Sequence, residues 1–268
     1  MSTPAGRWDD LRERLISGIL LLAVGFGAIW AGGWWFFALV VVLAAAMIWE
    51  LTRLIDASLI PRDCLVLVLL GIAALFVANL LPFIAQAPFL LLAAVCTVLI
   101  TKSDQRLFGL FYGAVLLTAM GLFNQRDHFG LVWMIWLVAV VVQSDVLGYF
   151  AGRFLGGPKF WPSLSPSKTW SGTVAGWIGA AVIGAVFAAL TPASPVVIVY
   201  SVLMAFAAQM GDITESWLKR RRGVKDSSNL IPGHGGVLDR FDGLVGATLA
   251  LLVIEQITNF PPRLPGAL

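Results

Sequence analysis

The chain has few of the residues that a soluble fold needs at its surface. Only 12% of its 268 residues are charged and 59% are hydrophobic, whereas soluble domains carry about 25% charged residues. A soluble globular fold and a disordered chain are therefore both excluded. The net charge of +3 is too small to indicate a nucleic acid as a partner.

Cysteine and histidine are also scarce. Cys64 and Cys96 each lie within an apolar run, which argues against a disulfide framework and against a zinc knuckle. His128 and His234 are far apart in the sequence, so a histidine-rich metal site is not expected. No internal repeat is visible, which weighs against a transporter built from duplicated halves.

Long apolar runs fill most of the chain instead. A helix that crosses a bilayer needs about 20 mainly apolar residues, and these runs are continuous rather than alternating, which excludes a β-barrel. The first run is too long for a signal-peptide core and is interpreted as a retained span. We predict an all-α, polytopic integral membrane protein with about nine transmembrane helices. The predicted spans are 15–31, 33–49, 64–82, 87–101, 107–123, 131–150, 172–190, 196–214 and 243–259.

The basic residues predict how the spans are oriented. With the N-terminus in the cytoplasm, only Arg126 and Arg263 of the 18 Lys and Arg residues fall on the opposite side. Two long polar connections, 151–171 and 215–242, then lie on the cytoplasmic side, and long ordered loops often carry function. We therefore divide the chain into generic transmembrane helices (1–130) and a catalytic region that contains both loops (131–268).

Aromatic side chains occur in short clusters. Trp34–Phe37 is one such cluster, and Trp133 with Trp136 is another. Aromatic residues are enriched where transmembrane helices cross the membrane surface. Both clusters are therefore predicted to be interfacial belts rather than ligand cages.

Four aspartates lie near the cytoplasmic ends of the predicted spans: Asp145, Asp212, Asp239 and Asp242. Ionisable groups at such depths are candidates for functional sites. Asp239 and Asp242 are three residues apart, which puts both on one face of the ninth helix. Carboxylates without histidine or cysteine suit Mg²⁺, which bridges them to substrate phosphates. The alternative is that each aspartate pairs with an arginine such as Arg240; for the four together we favour a metal and phosphate site.

A basic cluster, Lys219–Arg222 with Lys225, precedes two of these aspartates. It could hold a polyphosphate through charge-assisted hydrogen bonds, or it could bind anionic lipid headgroups. The turn Pro232–Gly236 favours the first interpretation. Its glycines allow close backbone approach, so that backbone amides can form an anion-binding concavity.

A second candidate phosphate site is the segment Ser165–Thr169, just before the seventh span. Serine, lysine and threonine at a helix N-terminus can bind an anion. Simple capping of the helix by Ser167 or Thr169 is an equally good explanation. The glycines of a P-loop are missing, so the Lys168-Thr169 pair is not read as one.

The run 216–242 resembles the signature of phosphatidate cytidylyltransferases, also called CDP-diacylglycerol synthases. It reads Ser-x-apolar-Lys-Arg, Lys-Asp, a Pro-Gly-His-Gly-Gly turn, then Asp-Arg-x-Asp. The matching residues are Ser216, Lys219, Arg220, Lys225, Asp226, His234, Gly235, Gly236, Asp239, Arg240 and Asp242. Upstream, Gly211–Glu215, Asp145–Arg153 and Ser165–Thr169 also look like this family. Residues 1–130 resemble it only as a generic helical region.

The resemblance implies transfer of CMP from CTP to phosphatidic acid, with Mg²⁺ and a second cation such as K⁺. It implies that Asp212, Asp239 and Asp242 bind the metal. Lys219, Arg220, Lys225 and Lys168 would neutralise the triphosphate. The remaining residues predicted to bind substrate are Asp145, Ser165, Thr169, His234, Gly235 and Gly236. It also implies a bacterial-type inner (cytoplasmic) membrane, with the active site facing the cytoplasm; whether the chain forms a homodimer stays open.

Two other functions compete with this one. A CDP-alcohol phosphotransferase is rejected, because Asp242-Gly243 is followed by Leu244 to Ala247 without the arginine of that family's motif. An ion-coupled membrane transporter or a lipid-binding scaffold remains the alternative, with the aspartates coupling to ions.

Overall fold

The computed structural model describes residues 4–101, 104–233, 235–258 and 260–262. These residues form nine α-helices, one π-helical turn (Gln125–Phe129) and one two-stranded sheet. The helices are α1 (Pro4–Ala31), α2 (Gly33–Ile55), α3 (Pro61–Asn79), α4 (Phe83–Thr97), α5 (Gln105–Asn124), α6 (Leu131–Leu155), α7 (Trp170–Leu190), α8 (Val197–Arg221) and α9 (Leu238–Ile257). The strands are β1 (Lys159–Trp161) and β2 (Ser165–Thr169).

Each predicted span corresponds to one helix, which confirms an all-α polytopic membrane protein. Six helical segments are long and apolar enough to cross a membrane: α2, α3, α5 with the π-helical turn, α6, α7 and α8. Helix α4 and the apolar part of α1 (Ile16–Ala31) are shorter. Helix α9 is not among the six, and its sequence includes Asp239, Arg240, Asp242 and Glu255.

Glycine and proline mark several helix ends. Gly32, with a φ of 64°, separates α1 from α2, and Gly33, with a φ of 49°, is the first residue of α2. Pro61 lies at the start of α3, where its missing amide costs no hydrogen bond. Gly156, with a φ of 62°, ends α6. Helices α6 and α8 continue beyond the predicted spans, to Leu155 and Arg221, and so enter the segments that the sequence marks as loops.

The chain divides into two compact units, which are described separately. The first is Met1–Met120 with Val224–Arg240, and the second is Gly121–Gly223 with Phe241–Leu268. The functional division predicted from the sequence, at 1–130 and 131–268, stays a prediction. In the compact units, segment 224–240 groups with the N-terminal helices rather than with its sequence neighbours.

The core of the first unit lies between α2, α3 and α5. Ile48 and Leu67 have no exposed surface, and neither has Tyr112. The Tyr112 hydroxyl donates a 2.6 Å hydrogen bond to the carbonyl oxygen of Leu67. A Cβ at Gly71 would lie 2.5 Å from Ile48 Cδ1 and 2.9 Å from the Tyr112 hydroxyl, so glycine permits this packing.

In the second unit, α6 packs against α7 and α8. Trp133 and Trp136 are both fully buried and pack edge-to-face, with ring centroids 5.6 Å apart. The prediction of an interfacial belt at these two residues is therefore wrong. It is also wrong for Phe36 and Phe37, which are buried, whereas Trp34 and Trp35 are exposed.

Candidate active site

Helix α8 and the part of α9 beyond residue 240 pack together at glycines. A Cβ built on Gly246 would lie 3.0 Å from the Cα of Gly211. A Cβ on Gly211 would overlap the backbone carbonyl oxygen of Asp242, and one on Gly246 would overlap that of Ala207. Only hydrogen fits at these two positions. The close crossing brings the residue after Gly211, which is Asp212, near to Asp242.

Three carboxylates meet at this crossing. One oxygen each of Asp212, Glu215 and Asp242 lies within 4.8 Å of the others. Glu215 follows Asp212 by three residues on α8, so both project from one face, and Glu215 is only 3% exposed. Asp242 lies in the second turn of α9, close to the Asp212 carboxylate.

This donor set fits a hard divalent cation. All its ligand atoms are carboxylate oxygens, the atoms that Mg²⁺ prefers in proteins. A cation bound there would offset the repulsion between the three carboxylates. Asp212, Glu215 and Asp242 are therefore the residues that could hold a metal ion.

Two lysines contact the same carboxylates. Lys168 Nζ forms an ion pair with Asp212 Oδ2. Lys219 Nζ lies 2.6 Å from Glu215 Oε2, one turn away on α8. The ion-pair alternative weighed from the sequence is thus found at Asp212, but its partner is a lysine and not an arginine. The lysines neutralise part of the negative charge of the cluster.

A cavity of about 410 Å³ lies next to this cluster and includes Asp212 in its lining. Its volume falls within the range of about 300–1,000 Å³ that is usual for small-molecule sites. The predicted site residues Asp145, Lys168 and Thr169 line it together with Asp212. The cavity therefore brings together predicted site residues that are far apart in the sequence, from Asp145 to Asp212.

Helices α6 and α7 form one wall of the cavity. A Cβ on Gly172 would overlap the carbonyl oxygen of Gly148, and one on Gly152 would lie 2.8 Å from Thr169 Oγ1. Thr169 is the N-cap residue of α7, and its Oγ1 accepts a 3.2 Å hydrogen bond from the amide of Gly172. The capping alternative is therefore confirmed for Thr169. Its contact with substrate stays a prediction.

A buried amide supports the base of this wall. Gln209 Nε2 donates to Ser144 Oγ at 3.3 Å and to the carbonyl oxygen of Thr173 at 3.2 Å. Gln209 Oε1 accepts a 2.9 Å hydrogen bond from Trp177 Nε1. Because these bonds join α6, α7 and α8, they fix the three helices around the cavity.

Lys168 is held by the β-hairpin that precedes α7. Strands β1 and β2 pair antiparallel, with Lys159 opposite Thr169 and Trp161 opposite Ser165. Ser165 is buried in this hairpin. Because β2 leads directly into α7, Lys168 lies at the N-terminal end of that helix, where positive charge and free amides attract anions.

In the first unit, two carboxylates hold the signature segment 224–240. Asp239 Oδ2 accepts hydrogen bonds from the amides of Ser227 (3.0 Å) and Gly236 (2.8 Å). Glu50, on α2, accepts hydrogen bonds from both ends of the segment. Asp239 is thus engaged by backbone amides, and its assignment as a metal ligand stays a prediction.

The remaining predicted residues lie at the end of α8 and in segment 224–240. Arg220 and Lys225 are exposed. Gly235 has a φ of 84°, and its carbonyl oxygen accepts a 2.8 Å hydrogen bond from the amide of Ile231, which closes a tight turn. His234 lies outside the described residues. Gly236 is buried beside Ser227.

Two carboxylates of these arrangements, Glu215 and Glu50, are not among the site residues that the sequence predicts. The i, i+3 spacing of Asp212 and Glu215 indicates that both lie on one helical face. However, the i, i+4 spacing of Glu215 and Lys219 is equally typical of a surface ion pair. Glu50 directly follows the second predicted span, where a cap or a basic partner is the default expectation and a role near the site is the alternative; its partners in segment 224–240 are not indicated by the sequence around it.

Comparison with known proteins shows similarity along almost the whole chain. The sequence profile of the cytidylyltransferase family matches residues 12–257. The phosphatidate cytidylyltransferase of Brucella suis biovar 1 (strain 1330) is 37% identical over 271 residues, which cover 97% of this chain and 98% of the relative. That of Brucella abortus biovar 1 (strain 9-941) is 38% identical over 264 residues, 94% and 96% of the two chains. That of Helicobacter pylori (strain J99) is 43% identical over 135 residues, half of each chain.

Proposed function

The chain belongs to the cytidylyltransferase family, and we propose that it transfers the cytidylyl group of CTP to phosphatidate, giving CDP-diacylglycerol and pyrophosphate. Relatives that match nearly its full length carry the name of this activity. The observation that supports the proposal most directly is the group of three carboxylates, Asp212, Glu215 and Asp242, beside Lys168. Carboxylates with an adjacent lysine are suited to a cation and the phosphates that it binds.

The reaction needs positioning more than proton transfer. An oxygen of the lipid phosphate attacks the α-phosphorus of CTP, and the bond from that phosphorus to the bridging oxygen of the β-phosphate breaks. The attacking phosphate is already anionic, so no strong general base is required. Catalysis then depends on alignment of the two phosphates and on neutralisation of their charge.

The carboxylates would hold the metal ion. Asp212, Glu215 and Asp242 have the oxygen donors that suit Mg²⁺, which when bound neutralises phosphate charge and polarises phosphoryl oxygens. The resemblance to the family adds Asp239 as a ligand and K⁺ as a second cation. Asp212 would hold the metal, and Lys168, which forms an ion pair with Asp212 in the structure, would contact a phosphate.

The basic residues would neutralise the triphosphate and the departing pyrophosphate. Lys168 already lies in the cavity lining, and Lys219 contacts the carboxylate cluster. Arg220 and Lys225 are exposed and so accessible to a soluble nucleotide. His234, Gly235 and Gly236 would shape the nucleotide pocket. The basic-residue asymmetry further supports an active site at the cytoplasmic face of an inner membrane.

The experiment is a direct assay of the purified full chain. Protein in detergent micelles is incubated with α-labelled CTP, phosphatidate and MgCl₂, and we expect equal amounts of CDP-diacylglycerol and pyrophosphate. If neither product forms with several phosphatidates and detergents, the enzyme assignment is wrong, and the transporter or scaffold alternative gains support.

Variants of the carboxylate cluster test the metal assignment. We expect Asp212→Asn and Asp242→Asn each to lower turnover by at least about a hundredfold, because the metal contributes several kcal/mol of charge stabilisation. Asp127→Asn is the matched control, because Asp127 is an exposed aspartate in the π-helical turn of the same unit. Near-normal turnover in either cluster variant would contradict the assignment.

A further inference from the structure

Glu50 is a fully buried carboxylate on a helix that the signature motif does not include. It lies in α2, five residues before Ile55, the last residue of that helix, and its exposed fraction is 0%. A buried charge is costly unless it is hydrogen-bonded. Four donors satisfy this one: Ser227 Oγ (3.2 Å), Ser228 Oγ (2.6 Å), the amide of Val237 (2.8 Å) and the amide of Leu238 (2.7 Å).

These donors come from the two ends of one loop. Ser227 and Ser228 begin the stretch that leads to the Gly-rich turn, and Val237 and Leu238 end it. Leu238 is also the first residue of α9. Glu50 therefore supplies the acceptor that the free amides at the start of α9 need, from a different helix. Its negative charge also suits the positive end of the helix dipole.

Asp239 closes the same loop from within. Its carboxylate accepts the amides of Ser227 and Gly236. Ser227 thus donates its amide to Asp239 and its hydroxyl to Glu50, and it links the two carboxylates. A Cβ on Gly236 would overlap Ser227 Oγ and lie 2.6 Å from Glu50 Oε1, so only glycine fits between them.

The loop that these bonds close contains the residues assigned to the nucleotide. It runs from residue 227 to residue 239 and includes the Gly-rich turn at its tip, where Gly233 and Gly235 have positive φ angles of 73° and 84°. At the tip of this loop, the carbonyl oxygen of Pro232 accepts a 3.1 Å hydrogen bond from Ser17 Oγ. The base of the loop carries the hydrogen bonds to Glu50 and Asp239, so these two carboxylates help to determine its conformation.

We propose that Glu50 is a positioning residue that holds loop 227–239 in the conformation that binds the triphosphate of CTP. This inference rests on the proposed function, because it takes the loop to contact CTP. Glu50 itself touches no reacting atom. It acts by fixing the backbone amides and the start of α9, so that the nucleotide meets a preorganised loop rather than one that must be ordered on binding.

The kinetic test compares two Glu→Gln substitutions. In Glu50→Gln, the side-chain amide places an N–H group against the N–H and O–H donors of the loop. These buried donors lose an acceptor, which destabilises the loop conformation, and we expect the KM for CTP to rise roughly tenfold. The KM for phosphatidate should change by less than about twofold, because the loop is assigned to the nucleotide alone. Glu255→Gln, in α9, is the matched control. A purely structural role of Glu50 would lower the yield of folded protein and leave both KM values unchanged, and this result would overturn the proposal.

A second variant covers the case in which Glu50→Gln does not fold. Ser228→Ala removes one of the four donors and leaves the carboxylate in place. We expect a rise of about two- to threefold in the KM for CTP, since one hydrogen bond to a charged group is lost and water can replace it in part. An unchanged KM for CTP in folded Ser228→Ala, together with failure of Glu50→Gln to fold, would overturn the proposal.

Hydrogen–deuterium exchange tests the same contacts without catalysis. In full-length Glu50→Gln, peptides that include the amides of residues 227 and 236–238 should exchange at least about tenfold faster than in the wild type, because local opening becomes easier. Peptides from α7 should be unchanged. If the wild type makes no CDP-diacylglycerol but exchange rises as expected, the proposed function fails while the loop contacts stand. Unchanged exchange in these peptides would overturn the proposal itself.

Discussion

The crossing of α8 and α9 gives the sharpest test of how the carboxylate cluster is built. In Gly211→Ala, the new Cβ would overlap the carbonyl oxygen of Asp242. To restore an ordinary van der Waals separation, the two backbones must move apart by roughly 1 Å. This movement separates the two helices that hold Asp212 and Asp242, and a misplacement of about 1 Å in a catalytic arrangement lowers turnover roughly a hundredfold.

The assay is the initial rate of CDP-diacylglycerol formation at saturating CTP and phosphatidate, across a range of MgCl₂ concentrations. We expect lower kcat and a higher half-saturating Mg²⁺ concentration in Gly211→Ala, and the same in Gly246→Ala, whose Cβ would overlap the Ala207 carbonyl oxygen. The control is Gly243→Ala in the same helix. Its Cβ would lie 3.5 Å from Val141 Cγ1, which is ordinary contact, so its activity should stay near that of the wild type.

Two results would refute this reasoning. If Gly211→Ala and Gly246→Ala kept more than about half of the wild-type kcat with unchanged Mg²⁺ dependence, the helix separation would not govern the site. If Gly243→Ala lost as much activity as the other two, the loss would reflect any added methyl group in this region rather than the overlap at the crossing.

Two further predictions concern the α7 cap and the orientation. Thr169→Ala removes the cap of α7 and should lower the free energy of unfolding in detergent by about 1 kcal/mol. Ser167→Ala, at an exposed position, should leave this free energy unchanged. Equal free energies of unfolding in the two variants would contradict the capping role. A reporter that is active only in the cytoplasm, fused after Leu268, should remain inactive if the N-terminus is cytoplasmic and nine helices cross the membrane, and a strong signal would contradict that topology.

The spans could be predicted well because apolar length is a local property. Each of the nine runs became a helix, and the breaks at Gly32-Gly33 and before Pro61 follow from the backbone preferences of glycine and proline. The hairpin 159–169 could not be predicted in the same way. Its strands have three and five residues, too few to show a period of two, and prolines interrupt the stretch.

The aromatic clusters show a different limit. Trp133 and Trp136 have the same spacing whether they face lipid headgroups or a helix interface, so the sequence does not distinguish a belt from a core. The structure buries both, with Trp136 Nε1 donating to Ser201 Oγ at 2.9 Å. A buried tryptophan needs an acceptor for its ring N–H group. Here that acceptor is on another helix, 65 residues away in the chain.

The candidate site was predicted where its residues are neighbours in sequence and missed where they are not. Asp212 and Asp242 were found because each lies within or beside the signature. Glu50 was not, because its partners are 177 to 188 residues away. A long-range hydrogen bond leaves no periodic trace in a single sequence, whereas the i, i+3 relation of Asp212 and Glu215 does.

Glu50 changes how the division of the chain at residue 130 should be understood. The carboxyl-terminal region contains the signature, but the amides of Val237 and Leu238 have their acceptor on α2. Without α2, these two buried donors would lose their partner at a cost of about 1–3 kcal/mol each. The first unit is therefore built from residues 1–120 and segment 224–240 together. The N-terminal helices thus act as a scaffold for the signature loop, which agrees with a family match that begins at residue 12 rather than at residue 131.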